Sequence, residues 1–171
     1  MYMQEISNKL VDSIKIDESK LQTLWSFNFI DGNVECSGVQ IAPESNVEIV
    51  HEPTWQGEVH SYLSFNRYNG RSLLVLDFSL TEKPNEEMLL NMNGAANAFD
   101  TKNCYFNLRI NGELVQEFRA IDDYVGNGWR GDTHISISSH FLHQGKNTIE
   151  IEMTDRSFPG YMLSDISMTR Q

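Results

Sequence analysis

From Asn28 onward apolar residues fall at alternate positions, interrupted at fairly regular intervals by turn-forming residues, which is the pattern of a β-sandwich or barrel. Val59, Leu63 and Phe65 alternate with His60, Tyr62, Ser64 and Asn66, and Asn69-Gly70 closes the run. Asn-Gly tolerates positive φ, so Ser72 to Leu80 is expected to return as the second arm of a hairpin, with Leu74, Leu76, Phe78 and Leu80 on its apolar face. A second hairpin is expected from Phe106, Leu108 and Ile110, a turn at Asn111-Gly112, and the returning run Leu114 to Phe118. Ile135 and Ile137 mark a short strand. Ile149, Ile151 and Met153 alternate with Glu150, Glu152 and Thr154 in a strand wet on one face, and Leu163 to Met168 reads as the closing strand.

The first residues follow another period. Ile6, Leu10 and Ile14 recur every four positions behind Ser7 as a cap, which predicts a helical segment over 1–24 packed on the sandwich or against a second copy. The sandwich itself is expected over 25–171, with no linker or internal repeat to divide it.

Composition narrows the partners. The chain has 171 residues, enough for one domain with its own core, and its 40% hydrophobic and 22% charged content is that of a globular protein. A formal charge of −11, from 24 acidic and 13 basic residues with no basic stripe, argues against nucleic acid and against anionic membranes. The longest apolar run, Leu73 to Leu76, is cut by Asp77, so no membrane-spanning segment is expected. Met1 to Lys9 has no secretory-signal pattern, which points to the cytoplasm, or to the cell exterior for a chain whose leader has been removed. Cys36 and Cys104 are far apart and have no CxxC spacing; they are read as two reduced, half-buried thiols, with one disulfide as the alternative.

Several segments carry a family resemblance. Asn107 to Val115, then Ile135-Ser136-Ile137, then Phe141-Leu142-His143-Gln144-Gly145-Lys146-Asn147-Thr148-Ile149-Glu150-Ile151, resemble the galactose-binding-like jelly roll, and more closely the sugar-binding β-sandwich domains that accompany glycoside hydrolases. In physical terms Leu142 would plug the sandwich edge, Gly145 would let the backbone reverse, and the Asn147 side chain would bond the reversed loop. Leu163 to Met168 is similar to the terminal strand of such carbohydrate-binding modules, and Trp25-Ser26-Phe27 ahead of Asp31-Gly32 to their first strand. The resemblance implies an all-β antiparallel jelly-roll sandwich, a glycan partner, and a structural calcium near the first and last strands, where Glu35 and Asp165 are the nearest equivalents.

Sugar sites combine an aromatic plane over the pyranose C–H face with short polar groups for the hydroxyls. The best match is Asp122 to Asp132, which places Tyr124, Asn127, Trp129, Arg130 and Asp132 among three glycines. The plainer reading of that segment has Trp129 covering the sandwich end and Arg130 paired with Asp132. Trp55, in Pro53-Thr54-Trp55-Gln56-Gly57, and Tyr161, in Phe158-Pro159-Gly160-Tyr161, are further contact candidates, and Tyr62 and Tyr68 a sheet-face platform. His140-x-x-His143 lacks further ligands at zinc-like spacing. No Gly-x-Ser-x-Gly elbow, phosphate-binding glycine loop or His-Glu-x-x-His occurs, so the expectation is a carbohydrate-binding module and no enzyme. The rival expectation is an assembly or protein-interaction sandwich that forms a homo-oligomer through its N-terminal helix and takes no small ligand.

Overall fold

The computed structural model describes residues 22–53, 59–96, 104–120, 131–156 and 160–170. The N-terminal segment expected to be helical lies outside the described residues. Among the described residues twelve strands run in chain order: β1 Thr23–Ile30, β2 Asn33–Ser37, β3 Val39–Ile41, β4 Glu48–Pro53, β5 Val59–Asn66, β6 Leu73–Leu80, β7 Met88–Ala96, β8 Tyr105–Ile110, β9 Glu113–Arg119, β10 Gly131–Ile137, β11 Gly145–Met153 and β12 Gly160–Arg170. The described helices are two short 3-10 turns, Arg67–Asn69 and Ser139–Phe141.

The strands form two antiparallel sheets. Sheet A has the order β10-β7-β12-β1-β2, with β5 pairing the first part of β12 and β4 pairing β5; sheet B has the order β3-β6-β11-β8-β9. From β5 to β8, and again from β9 to β12, successive strands change sheet, which is the wrapping of a jelly roll. Alternation sends one row of each strand inward. Leu90 and Met92 of β7, Ile166 and Met168 of β12, and Ile149 and Ile151 of β11 are all sequestered between the sheets. Phe65, Phe106 and Tyr161 form an aromatic knot across the core, with Phe106 5.2 Å from each of the other two ring centroids. The Tyr161 ring fits because β7 has Gly94 beneath it, where an added Cβ would stand 2.4 Å from the phenolic oxygen.

Local chemistry sets the turns. Asp31-Gly32 and Asn111-Gly112 join β1 to β2 and β8 to β9 with φ of 50° and 81°, and of 52° and 86°, the paired left-handed backbone of a two-residue hairpin. Asn69-Gly70 behaves differently from the expected hairpin turn. Asn66 caps a 3-10 turn by accepting from the Tyr68 and Asn69 amides, and Gly70 ends that turn at φ 72°, so the chain crosses from β5 in sheet A to β6 in sheet B. The residues expected to pair with one another take other partners, β5 with β4 and β12, and β6 with β3 and β11.

The corner before β11 is built as its residues suggest. Leu142 is fully buried, Gly145 takes φ 86°, and buried Asn147 accepts from the His143 amide at 2.8 Å while donating to the His143 and Gly145 carbonyls. Asn111 joins it by donating to Asn147 Oδ1 at 2.9 Å, so the β8–β9 turn and the corner are stitched together. Cys36 is exposed on β2 and Cys104 is buried, and neither forms a disulfide. The pair is thus one surface thiol and one core thiol rather than two half-buried ones.

Candidate functional site

The residues that alternate with the core row of sheet A point outward, and across the central strands they are almost all short and polar. Opposed residues of paired strands share a face. The register therefore sets two transverse rows: His134, Asn91, Ser167, Ser26 and Ser37 in one, and Asp132, Asn93 and Asp165 in the other, the latter continued by the Asn28–Glu35 pair. Thr169 stands one pair further along β12 from Ser167, opposite Leu89.

Hydrogen bonds run within each row. Asn91 Nδ2 donates to Ser167 Oγ at 3.3 Å, Thr169 Oγ1 at 3.1 Å and the Leu89 carbonyl at 3.4 Å, while His134 Nδ1 lies 2.7 Å from Asn91 Oδ1. Asn93 Nδ2 donates to Asp132 Oδ1 at 2.6 Å, a short charge-assisted bond. The carboxylate can only accept, which fixes the Asn93 amide and turns its own oxygen away; that oxygen is buried and accepts no bond among the described residues. A shallow depression beside the rows is bounded by Thr23, Ser26, Asn28, Asp165 and Ser167.

The outer face of sheet B is of another character. There Arg109 pairs with Glu152 at 3.8 Å, Arg156 pairs with Glu117 while lying over the Tyr105 ring, and the Thr148 hydroxyl donates to Asp77. These charges are engaged in contacts of their own. The described rows of sheet A contain no lysine or arginine and present amides, hydroxyls, an imidazole and carboxylates. Such groups make directed hydrogen bonds to a neutral polar ligand with little charge to neutralise.

One end of the sandwich adjoins these rows. Strands β5, β7 and β9 finish there at Asn66, Ala96 and Arg119, and β10 and β12 start there at Gly131 and Gly160. The Ala120 amide bonded to the Cys104 carbonyl, and Cys104 Sγ near the Gly160 carbonyl, hold that end together. Tyr124, Asn127, Trp129 and Arg130 lie outside the described residues, between Ala120 and Gly131 in the chain. Trp55 also lies outside them, and its bracketing residues Pro53 and Val59 are at the opposite end of β5.

The predicted residues that are described divide. Asp132 is exposed on the outer face of β10 and belongs to the polar rows. Tyr161 is not a surface contact: its relative exposure is 0%, because β12 alternation points it inward against Phe65 and Phe106. Tyr62 is buried as well, and Tyr68, 69% exposed, sits on the 3-10 turn with the Arg67 guanidinium 5.0 Å from its ring centre rather than on a sheet-face platform. Glu35 and Asp165 share the outer face but stand on β2 and β12 with β1 between them. Among the described residues no group of three or more His, Cys, Asp or Glu is placed to hold an ion. His140 turns to Glu113, 3.6 Å away, instead of facing His143. Asn91, Asn93 and His134 were not expected. Their signal is the alternation Met88, Leu90, Met92 against Leu89, Asn91, Asn93, masked by a methionine- and leucine-rich run that lacks β-branched residues.

No protein-family model matches the chain, and no curated protein does. Solved structures similar to it include a family 35 carbohydrate-binding module from Paenibacillus barcinonensis, 16% identical with a TM-score of 0.49 over 79% of this chain and 94% of that one. The native family 35 module from Clostridium thermocellum is 17% identical, TM-score 0.47, over 76% of this chain and 90% of that one. The module CBM6cm-2 from Cellvibrio mixtus lichenase 5A, solved with cellotriose, is 10% identical, TM-score 0.47, over 88% of this chain and 99% of that one. At these identities and TM-scores the likeness carries no function across, and the fold is read from the strand order of this chain itself, an all-β, antiparallel jelly-roll sandwich.

Proposed function

We propose that the chain is a non-catalytic glycan-binding module whose contact surface is the polar outer face of sheet A together with the adjoining sandwich end. The observation that carries this reading is a ladder of two hydrogen-bonded rungs, Asp132–Asn93 and His134–Asn91–Ser167, a set of directed donors and acceptors without a lysine or arginine among them. Side chains of this type satisfy sugar hydroxyls in pairs. The aromatic, glycine-rich segment Asp122 to Asp132 supports it from the sequence, because its last residue is a member of the ladder and its tyrosine and tryptophan have the stacking surface that a pyranose needs.

Calorimetric titration of the full chain against a panel of oligosaccharides tests the proposal. Binding to at least one sugar is expected, and Asn93→Ala should weaken it about tenfold, the equivalent of one lost hydrogen-bonding group. Trp129→Ala should weaken it at least as much if the adjoining segment supplies the aromatic plane. Absence of heat for every sugar, or an affinity that neither substitution changes, refutes the reading.

A further inference from the structure

His134 is exposed on β10 opposite Asn91 of β7, and the Asn91 amide has one workable orientation. Its nitrogen lies 3.4 Å from the Leu89 carbonyl, which can only accept. The amide oxygen therefore faces His134 Nδ1, 2.7 Å away, and must receive a hydrogen from it. In the neutral ring Nδ1 carries that hydrogen and Nε2 keeps a lone pair. Two positions earlier on the same strand and face, about 7 Å away by strand rise, Asp132 accepts from Asn93 and has further lone pairs to offer.

We propose that His134 sets the specificity of the sheet A face: locked by Asn91 with its hydrogen on Nδ1, it presents Nε2 as an acceptor that, with the Asp132 carboxylate, takes the hydroxyl hydrogens of neutral glycans and disfavours uronate-bearing or sulfated ones. The inference rests on the glycan-binding reading and adds to it the class of glycan. Its physical basis is that a hydroxyl can donate to both groups, whereas a ligand carboxylate or sulfate has only lone pairs to set against them. The described charged or titratable groups facing His134 are Asp132 on its own strand and Asp165 on β12; β7 between them brings Asn91 and Asn93. The Asp132 carboxylate, on the same strand and face, also repels an anionic ligand.

Two measurements decide the matter. Long-range 1H–15N correlation of the imidazoles should show the His134 hydrogen on Nδ1 in the wild type, and Asn91→Ala should allow the other tautomer to appear; a wild-type ring with its hydrogen on Nε2 overturns the proposal without reference to any sugar. On a printed array of neutral oligosaccharides beside uronate-containing and sulfated ones, neutral sugars should bind better. His134→Ala should cost about tenfold on these. Preferential binding of the anionic glycans, or neutral-sugar affinity unchanged in His134→Ala, overturns this inference while leaving glycan binding intact. Failure of every glycan to bind overturns both.

Discussion

At the scale of single residues, the side chains that organise this protein are the amides. Asn147 makes four side-chain hydrogen bonds in a position without solvent access, so its removal leaves buried backbone groups of the corner unpaired. Asn147→Ala is expected to destabilise the fold by about 2–4 kcal/mol, read as a lower urea midpoint with the slope unchanged. Cys36 reports on the opposite edge of the structure. Partial burial and then the neighbouring Glu35 charge both raise its thiol above the usual range, so less thiolate is present at a given pH. Alkylation of Cys36 at about pH 7.5 should be slower than that of an unperturbed thiol, and Glu35→Gln should speed it; mass-spectrometric labelling that shows equal rates contradicts this account. The role of Asn147 is legible in the sequence because a Leu-x-x-Gly-x-Asn corner is a local device. The pairing of Asn91 with His134 is not, since the two are distant along the chain and meet only through the register of β7 and β10.

At the scale of elements, β12 holds sheet A together. It pairs with β7 along its length, with β5 over its first part and with β1 over its second. Proline at Ser167 removes a donor from the middle of this strand, where no edge or turn accommodates the ring. Ser167→Pro should abolish cooperative unfolding as followed by circular dichroism, whereas Ser167→Ala should fold normally. Strand periodicity revealed β8 and β11, which alternate cleanly between one wet and one dry face, and the core face of β6, while β9 was legible from the Asn111-Gly112 turn that joins it to β8. It missed β7, whose run Met88-Leu89-Leu90-Asn91-Met92 carries residues without strand preference. Asn69-Gly70 was misread for a related reason: an Asn-Gly pair states that the chain turns there and leaves open which sheet it enters next, and Asn66 capping converts the turn into a crossover.

At the scale of the whole molecule, the formal charge of −11 sets up a repulsion between copies near neutral pH. That repulsion fades towards the isoelectric point, about 4.8 from the sequence. Light scattering should therefore show association rising as the pH approaches that value and falling again below it; mass independent of pH would argue against electrostatic control. The sequence by itself determined the all-β class, the hairpin at Asn111-Gly112, the corner before β11 and most of the core rows, because these depend on side-chain period and on residues adjacent in the chain. Only the tertiary structure decided that Tyr161 belongs to the core, that β5 and β6 part into different sheets, and that Asp132, Asn93, His134, Asn91 and Ser167 form one surface. Those facts are set by which strands become neighbours and in what register, and that choice is made by the packing of the two sheets as a unit, where no local pattern along the chain records it.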